Sequence, residues 1–399
     1  MLYKNLDLNK KNIILWTGSF YPQIGGLEVA GLEYANYFFN KGWNVTVITN
    51  KNPYNLISKE NMGGIIIKRF LFLHNPISYI KNYRFDLFFS WFFFKPYTIL
   101  KLFIFFFIKR PKIVNLHFPD HQLFEILILK SIFNFKLITS LHGNEVDRIK
   151  QLKRYHIKNF LYDNIFNKSS YITGCSNYLI QQITALYKEK YVDKYKVIYN
   201  GTRIGYNENG EKINRGEFIF SAMRFVPIKG LDLLLRSISI LKNENNLFIA
   251  GGSQKEAEKI VGLIKNADNI KFLGSLKSNE IIYYLKRTKV TVIPSKSESL
   301  GIFLIEALCC ASPIVATNVG GIPEVIKLGK KHLNLRQKKI FDKYVKIVNP
   351  DVESITCAIK LILNQKDNLE DFQNLVPNFK RVFDWEINLK EFYKLIKSI

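Results

Sequence analysis

Short apolar runs alternate with stretches of helical spacing along most of the chain. The apolar run Asn12–Trp16 is followed by a loop rich in glycine and proline, and Leu27–Lys41 then carries apolar residues three and four positions apart. Gly42 ends this helical pattern, and Trp43–Thr49 is the next apolar run. A strand, a helix and a second strand in this order are typical of an α/β unit built around a parallel sheet.

The same alternation predicts two series of strands, separated by a polar, glycine-containing linker at Thr202–Gly216. In the first series, further strands are expected at Lys112–Leu116, Lys136–Ser140, Tyr171–Gly174 and Lys196–Tyr199. In the second, strands are expected at Glu217–Ala222, Asn246–Ala250, Ile270–Phe272, Val290–Ile293 and Pro313–Ala316, with helices at Leu231–Leu241, Ser253–Asn266 and Ser278–Arg287. Two Rossmann-like domains facing a cleft are the simplest α/β architecture for this order of elements.

The expected domain boundaries follow from the linker and from the last helical pattern. Residues 1–205 form the predicted first domain, and residues 206–378 form the second. A chain of 399 residues is long enough for two domains. The final segment, Phe379–Ile399, has a broad apolar face that includes Trp385 and Phe392. We expect it to form a helix that crosses back to the first domain.

Composition adds a strong positive charge to this picture. The chain has 58 Lys and Arg against 33 Asp and Glu, a formal net charge of +25. A positive field of this size attracts nucleotide sugars, anionic lipid headgroups or nucleic acid, although an A/T-rich coding sequence produces a similar bias toward lysine.

The four cysteines show no metal-binding spacing and fit a reducing compartment. The polar, lysine-bearing first eleven residues do not resemble a signal peptide.

The densest group of candidate site residues lies between positions 290 and 324. A predicted strand is followed by a serine-rich turn and by a helix that is expected to begin near Leu300 and Gly301. A helix N-terminus offers unpaired N–H groups and the positive end of a dipole, which favour an anion. Glu298 precedes this helix, and Glu306 lies eight positions further on. These carboxylates could accept hydrogen bonds from a sugar and a ribose, or could be a helix cap and a solvated residue.

Residues 298–306, Glu-Ser-Leu-Gly-Ile-Phe-Leu-Ile-Glu, resemble the Glu-x7-Glu motif of family-4 glycosyltransferases. This family has the GT-B fold and retains the anomeric configuration of the transferred sugar. Pro313–Ala316 and Gly320–Glu324 match the same family segment. The resemblance implies that a group of residues around the helix start binds the sugar donor: Glu298, Ser299, Leu300, Gly301, Ile302 and Glu306.

Arg224 and Lys229 lie on a predicted turn that leads from a strand into a helix. They resemble the Arg/Lys pair with which the family holds the donor diphosphate. Two cations five residues apart on such a turn can reach one pyrophosphate, although an isolated pair would more often be solvated. Asn200-Gly201 and Gly251-Gly252 resemble further family turns, and both could be purely structural.

In the first domain, candidate residues follow three of the predicted strands. Gly25 and Gly26 resemble the family's glycine loop near the donor phosphate, where small residues let backbone N–H groups approach a ligand. His142 follows the strand at Lys136–Ser140 and resembles the histidine that contacts the donor sugar. His117 ends the preceding strand and is, with Asp120, a weaker candidate for the acceptor side.

The resemblance implies transfer of a hexosyl unit from a nucleotide-diphosphate sugar to a hydroxyl of a glycan or lipid-linked glycan. It assigns catalytic roles to His142, Glu298, Arg224 and Lys229. No Asp-x-Asp pair stands in a suitable place, so neither a metal nor another cofactor is expected, and the two cations would balance the diphosphate. We expect a cytoplasmic enzyme, associated with the inner face of the cell membrane, in polysaccharide, lipopolysaccharide or glycolipid synthesis.

Three departures from the family pattern affect this interpretation. The family usually has an aromatic residue where Leu300 stands and a glycine where Ala311 stands. Neither change removes a charge or a hydrogen-bond donor from the predicted site. A basic stretch, Lys327–Lys346, replaces the usual short glycine-rich turn, and its role is open.

The region from Lys68 to Lys112 combines aromatic and basic residues. It contains 12 of the 32 phenylalanines, and nine Lys and Arg accompany a single acid, Asp86. The apolar run Ile99–Ile108 is shorter than the roughly 20 residues that span a bilayer, and Lys95-Pro96 precedes it, so a transmembrane helix is not expected. The run is expected to be a buried helix of the first domain, an interfacial surface that contacts anionic lipid, or both.

Three competing functions remain at this stage. A nucleotide-sugar 2-epimerase of GT-B-like fold would require different carboxylates and would use no acceptor. A phosphorylase would need a pyridoxal-phosphate lysine context that the sequence does not offer. A non-catalytic nucleic-acid-binding protein would use the positive charge but would not need Glu298 and Glu306 at an anion site. Nucleic acid is therefore not an expected partner, and the oligomeric state stays open.

Overall fold

A computed structural model describes residues 11–23, 25–73, 79–80, 82–151, 157–188, 190–203, 215–241, 246–262, 269–365 and 369–399. These residues divide into two compact units. The first comprises the described residues up to Cys175, together with Leu179–Ile198 and Leu389–Ile399. The second comprises Ser176–Tyr178 and the described residues of Tyr199–Asn388.

The first unit is built around an eight-stranded sheet in its described residues, with the strand order β3-β4-β2-β1-β5-β6-β7-β8. All neighbouring strands are parallel except β3 and β4, which form an antiparallel pair. The strands are β1 (Asn12–Thr17), β2 (Asn44–Asn50), β3 (Lys59–Met62), β4 (Ile65–Phe70), β5 (Ile113–His117), β6 (Lys136–Leu141), β7 (Tyr171–Gly174) and β8 (Tyr195–Val197). The helices are α1 (Gly26–Asn40), α2 (Phe85–Lys109), α3 (Leu123–Ile132), α4 (Asn144–Gln151), α5 (Ile157–Lys168) and α6 (Asn177–Leu186).

The second unit has a six-stranded sheet in its described residues, with the order β11-β10-β9-β12-β13-β14. Every neighbouring pair in it is parallel. The strands are β9 (Phe218–Ala222), β10 (Asn246–Ala250), β11 (Ile270–Phe272), β12 (Val290–Ile293), β13 (Ile314–Thr317) and β14 (Val345–Val348). The helices are α7 (Leu231–Ile240), α8 (Gln254–Val261), α9 (Ser278–Arg287), α10 (Ile302–Cys309), α11 (Ile322–Gly329), α12 (Leu335–Tyr344), α13 (Val352–Leu363), α14 (Glu370–Gln373) and α15 (Val376–Phe383). A last helix, α16 (Trp385–Lys397), begins in the second unit and belongs to the first unit from Leu389 onward.

Aromatic side chains fill much of the core of the first unit. On one side of the sheet, Trp16 of β1 lies 6.1 Å from Phe106 of α2 between ring centroids. On the α1 side, Tyr34 lies 4.9 Å from Phe392 of α16, and Phe38 lies 6.0 Å from the same ring. These five aromatic side chains are all buried, so residues near position 392 complete a core that begins near position 13.

The core of the second unit is mainly aliphatic between its sheet and the helices α7 and α13. Leu234, Ile249 and Val292 are fully buried there, and so is Ile359 of α13. A parallel sheet that is buried on both faces requires such continuous apolar strands, which explains why β12 and β13 contain no charged residue.

The predicted α/β architecture with two parallel-sheet units is confirmed. Among the elements that were not predicted are the β3–β4 pair, β14 at the end of the basic stretch, and the full length of α2. The expected helix Ser253–Asn266 ends at Val261, and residues 263–268 lie outside the described part of the chain. Most of the expected linker, residues 204–214, and residues 1–10 of the N-terminus also lie outside it.

Helix α2 corrects the expectation of a short helix preceded by a break. It continues through Lys95 and Pro96 and is 25 residues long. Leu102, Phe105 and Phe106 are buried, so core packing of this segment is confirmed for one face only. Among the described residues it is the one helix that is long and apolar enough to cross a membrane by length and composition. The same test is passed by core helices of soluble proteins.

Candidate active site

In the second unit, three loops with candidate residues meet at one edge of the sheet. Strand β12 lies between β9 and β13, and Ile293 pairs with Ala316 at the ends of β12 and β13. Because the strands are parallel, the loops that follow them leave from the same edge. These loops carry Arg224 and Lys229 after β9, Glu298 after β12, and Gly320 after β13.

Glycines allow these loops to touch backbone to backbone. Gly230 has a φ of 70°, and a Cβ atom there would lie 1.9 Å from the carbonyl oxygen of Pro294. Gly320 has a φ of 56°, and a Cβ atom there would lie 1.9 Å from the carbonyl oxygen of Glu298. The N–H of Gly321 donates to that same oxygen over 2.8 Å. The Glu298 backbone is therefore held from two sides, and larger residues at these glycines would displace it.

Glu298 forms an ion pair with Lys229. The Lys229 Nζ lies 2.5 Å from Glu298 Oε2, and the Ser295 hydroxyl donates to the same oxygen over 3.2 Å. Both charged side chains are mostly buried, with 18% of the lysine and 16% of the glutamate exposed. The pair joins the loop after β9 to the loop after β12 at the edge of the sheet.

The helix that follows Glu298 begins without a side-chain cap. Gly301, with a φ of 95°, occupies the N-cap position of α10, and no side chain accepts a hydrogen bond from its first turn. The alternative that Glu298 caps this helix is therefore wrong. Leu300 is buried, so the leucine that departs from the family pattern belongs to the core of the loop. Ser299 and Ile302 are partly exposed beside it, and the first turn of α10 can receive an anion.

Glu306 lies on α10 among buried apolar neighbours such as Ile305 and Ala307. It is partly exposed, and burial of its carboxyl group raises the pKa of Glu306 to about 7. Its carboxylate has no hydrogen-bond or ion-pair partner within the described part of the chain. A carboxyl group in this setting gains most from a ligand that donates hydrogen bonds to it.

Arg224 is exposed in the loop after β9. Unlike Lys229, its guanidinium group is not tied to a carboxylate among the described residues. The backbone around it is ordered by a hydrogen bond from the N–H of Val226 to the carbonyl of Arg224, over 2.9 Å. An exposed guanidinium on a fixed turn is suited to a diphosphate, for which arginine offers several N–H donors.

In the first unit, the structure brings His117 and His142 together. Thr17 pairs with His117, and His117 pairs with Ser140, so the ends of β1, β5 and β6 are neighbours. His117 Nδ1 lies 3.1 Å from His142 Nε2, and the two rings stack at a centroid distance of 5.3 Å. The ring of Phe118 covers the His142 ring at 4.2 Å.

Both imidazoles are held neutral. Burial lowers the pKa of His117 to about 3, and burial together with His117 lowers the pKa of His142 well below its usual range. His117 Nε2 and His142 Nδ1 are buried and have no partner among the described residues. Whichever ring donates the hydrogen bond between them, the pair keeps one free donor and one free acceptor. This combination suits the hydroxyl group of a sugar.

Glu145 supports the His142 loop. Its carboxylate accepts hydrogen bonds from the backbone N–H groups of His142 and Gly143, the second over 3.2 Å. Burial raises the pKa of Glu145 to about 7, although these N–H groups and Arg148 act in the opposite direction. Glu145 lies in the first turn of α4 and not in a loop, and the sequence analysis did not assign it a role.

Asp120 belongs to a cluster of charges instead of standing free. It pairs with Lys158 over 3.1 Å, with His121 over 3.0 Å, and with Arg148. Burial acts to raise the pKa of Asp120, but His121, Lys158 and Arg148 outweigh it and hold the pKa below its usual range. Its carboxylate is thus already neutralised by neighbours, which weakens the case for Asp120 as a binding residue.

Gly25 and Gly26 begin helix α1, after the loop that follows β1. Gly25 is the N-cap residue, and no side chain caps the helix. Its φ of −167° is open to any residue, but a Cβ atom there would lie 2.8 Å from the carboxylate of Glu28. Because that carboxylate is the far end of a flexible side chain that can shift, neither space nor backbone conformation requires glycine at this position.

Within the second unit, Glu324 is a polar centre that sequence reasoning did not assign. Its carboxylate accepts hydrogen bonds from the backbone N–H of Asn177 and Tyr178, over 2.9 and 3.1 Å, and from the Tyr199 hydroxyl, over 2.7 Å. The hydroxyl of Ser176 donates to the carbonyl of Ser299 over 2.6 Å. Only the position of Glu324 in the family segment could have drawn attention to it.

No group of three or more His, Cys, Asp or Glu that could hold a metal ion is found in the described residues. The candidate residues supply carboxylates, cations and neutral imidazoles at the carboxyl ends of parallel strands in the two units. That neither a metal nor another cofactor is needed stays a prediction.

Two family models match the chain in tandem. The model for Glycosyltransferase Family 4 matches residues 24–205, and the model for Glycosyl transferases group 1 matches residues 206–378. An uncharacterized glycosyltransferase of Methanocaldococcus jannaschii is 26% identical over 261 residues, which are 65% of this chain and 67% of that protein. The N-acetyl-alpha-D-glucosaminyl L-malate synthase of Bacillus anthracis is 23% identical over 333 residues, 77% of this chain and 80% of that protein.

Solved structures share the fold over nearly the whole chain. Sucrose-phosphate synthase from Thermosynechococcus elongatus has a TM-score of 0.74 at 18% identity, covering 98% of this chain and 99% of its own. HepE of Anabaena, in complex with UDP and glucose, has a TM-score of 0.68 at 15% identity, covering 98% of this chain and 100% of its own. Fold and site thus define an enzyme of the GT-B glycosyltransferase class. Within this class, the chain belongs to the family-4, group 1 glycosyltransferases.

Proposed function

We propose that this glycosyltransferase transfers a hexosyl unit, with retention, from a nucleotide-diphosphate sugar to a hydroxyl of a glycan or lipid-linked glycan. The observation that carries the donor half is the arrangement around α10. The Lys229–Glu298 pair stands before an uncapped helix start, and the unpartnered Glu306 lies further along the same helix. We place the reaction in the cytoplasm, at the inner face of the membrane, in cell-envelope polysaccharide, lipopolysaccharide or glycolipid synthesis.

In this proposal the donor contacts several groups of the second unit. The two ribose hydroxyls donate hydrogen bonds to Glu306, and the diphosphate interacts with Arg224, Lys229 and the N–H groups at the start of α10. Lys229 then interacts with two anions, the donor diphosphate and the Glu298 carboxylate, whose Oε2 lies 2.5 Å from the Lys229 Nζ. As the bond from sugar to phosphate breaks, these cations stabilise the charge that develops on the leaving group.

The first unit supplies neutral hydrogen-bonding groups to the reaction. His142, whose pKa is held well below its usual range, offers a hydrogen bond to a hydroxyl of the transferred sugar without adding a positive charge. His117 acts beside it on the acceptor side. Gly25 and Gly26 leave the start of α1 open to a phosphate. The departing phosphate, as the base for the incoming hydroxyl, completes the front-face reaction that the family resemblance implies.

The similar proteins support a nucleotide donor. HepE of Anabaena was solved with UDP and glucose, and a starch synthase from Arabidopsis thaliana was solved with ADP and acarbose. The Bacillus anthracis relative is named for a product that joins N-acetylglucosamine to malate. These names favour a nucleoside-diphosphate donor and an acceptor with a free hydroxyl for this chain.

The test is a panel of UDP- and GDP-linked hexoses, assayed for binding and for release of the nucleotide. Glu306→Ala and Lys229→Ala should each weaken the best donor strongly. Glu353→Ala and Lys360→Ala are matched controls, because both residues are exposed on helix α13. Unchanged donor affinity in both site variants would refute the assignment of the donor site. Isomerised sugar from donor incubated alone would instead support an epimerase.

A further inference from the structure

An apolar stripe runs along the solvent side of helix α2, and we name it the aromatic stripe. It consists of Phe89, Phe93, Tyr97, Leu100, Ile104 and Phe107. The spacing of three and four residues places these side chains on one face of the helix. Their exposed fractions range from 48% for Ile104 to 78% for Phe93.

The aromatic stripe is larger than a soluble monomer usually leaves exposed. Since a large aromatic side chain has about 150–250 Å² of surface, these six aromatic and aliphatic side chains, each exposed by about half or more, leave roughly 600–700 Å² of apolar surface. The largest patch on a typical monomer is about 300–600 Å², and it is often functional. Five further large apolar side chains of α2 are exposed beside the stripe, including Phe85 and Phe92. This face needs a covering partner.

The opposite face of α2 anchors the helix in the first unit. Leu102 and Phe106 are fully buried, and the Thr98 hydroxyl donates to the carbonyl of Leu71 over 3.1 Å. Lys95 forms a buried ion pair with Glu125, whose side chain is not exposed at all. A helix that crossed a bilayer would have to give up these contacts and leave Glu125 buried without its cation. The helix therefore stays on its sheet and presents only the aromatic stripe.

Cations border the stripe on the same helix. Lys101 Nζ lies 4.2 Å from the centre of the Tyr97 ring, and the Arg110 guanidinium lies 5.9 Å from the Phe107 ring. Lys109 is the last residue of the helix, while its acid, Asp86, is already paired with Arg84 over 3.0 Å. Long basic side chains that lie over aromatic rings can keep their charged ends at the level of lipid headgroups.

We propose that the aromatic stripe docks this enzyme on an anionic lipid bilayer, with α2 lying in the plane of the interface. Aromatic side chains enter the boundary between headgroups and acyl chains, and Lys101, Lys109 and Arg110 contact the anionic headgroups. A second copy of the chain is a poor occupant, because a symmetric pair would bring these cations face to face without acids to balance them. A chain with a formal net charge of +25 also favours an anionic surface.

The test is co-flotation of the purified full chain with vesicles of phosphatidylcholine alone and of equimolar phosphatidylcholine and phosphatidylglycerol. We expect binding to the anionic vesicles, weakened by salt. The triple variant Phe89→Ser/Phe93→Ser/Ile104→Ser should lower the partition coefficient by at least ~100-fold, because it removes about half of the exposed apolar area of the stripe. The matched control is Ile240→Ser/Leu335→Ser/Leu361→Ser, which changes exposed apolar residues of the second unit and should bind as the parent does.

A second variant keeps the test independent of the folding of the triple variant. Lys101→Glu reverses one exposed charge and should weaken binding to anionic vesicles by roughly tenfold or more. Three results would overturn the proposal: equal absence from both kinds of vesicle, equal binding of the triple variant and its control, and resistance of the bound chain to extraction at alkaline pH. A dimer in light scattering that the triple variant abolishes, without vesicle binding, would assign the stripe to a second copy instead.

Discussion

Replacing Glu306 by glutamine removes a carboxyl group whose pKa is raised to about 7 by burial. Glutamine has nearly the same shape, so the packing of α10 should be kept. The unfolded chain holds this carboxyl at its ordinary pKa of 4.5, whereas the folded chain keeps the proton up to about pH 7. Between these two values the folded state binds more protons, so its stability falls as the pH rises.

The size of this effect follows from the pKa difference. About 2.5 pKa units at about 1.4 kcal/mol each give a ceiling of about 3.5 kcal/mol above pH 7. Because Glu306 keeps some exposure, solvent screening reduces this to roughly 1.5–3 kcal/mol. Glu306→Gln should therefore be more stable than the parent by this amount at about pH 8, and equal to it near pH 4.5.

The same substitution should weaken the donor. A carboxylate that accepts hydrogen bonds from two ribose hydroxyls contributes about 1.5–3 kcal/mol per charged hydrogen bond, and a neutral amide contributes less. We expect a roughly 10- to 100-fold loss of nucleotide affinity at about pH 8. In the parent, the affinity should fall about tenfold for each pH unit below 7, because the carboxyl must first be ionised, while the affinity of the variant should stay flat.

Urea denaturation and calorimetric titration with the preferred nucleotide measure the two effects. Parent and variant are compared at about pH 5 and about pH 8, so that the titration of Glu145, which is common to both, cancels. Glu353→Gln is the control for removal of an exposed acid. A variant that is less stable than the parent at about pH 8, or that binds nucleotide with the pH profile of the parent, would refute the reasoning.

Three further substitutions test other parts of the two units. Gly320→Ala introduces a Cβ atom 1.9 Å from the carbonyl of Glu298, so nucleotide affinity should fall together with a loss of at least about 1 kcal/mol in urea denaturation. Lys95→Met leaves Glu125 buried without its cation and should cost about 3–5 kcal/mol, and Lys95→Met/Glu125→Leu should recover most of this loss in the same assay. Glu145→Ala leaves two backbone N–H groups unpaired and should lower the thermal midpoint by an amount equivalent to about 1–3 kcal/mol, whereas Glu145→Gln, which keeps one acceptor, should lower it less.

The positions of most strands along the chain could be predicted from local pattern, because these strands are short, continuous apolar runs. Tyr171–Gly174, Asn246–Ala250 and Val290–Ile293 have their predicted bounds. Helix α2 could not be predicted in full, because Pro96 signals a break when only neighbouring residues are considered. Its continuity depends on contacts with distant residues, such as Lys95 with Glu125 and Thr98 with Leu71.

For the candidate site too, local sequence predicts the positions of the residues but not their contacts. Residues such as Glu298 and His142 could be found because they follow strand ends, and parallel strands bring such positions to one edge of a sheet. Their pairing could not be found, since Lys229 and Glu298 are 69 positions apart and His117 and His142 are 25 apart. Nor could the neutral state of the two histidines be expected, because it results from burial among side chains that the sequence does not place.

The contribution of Leu389–Ile399 to the first unit has a consequence for synthesis of the chain. Phe392 packs on Tyr34 and Phe38, yet it is translated after the whole second unit. The first unit is therefore synthesised without part of its aromatic core. That core cannot pack completely until Leu389–Ile399 have also been translated. Chaperone binding during translation, and sensitivity to truncation near position 389, are therefore expected to concentrate on the part of the enzyme that is made first.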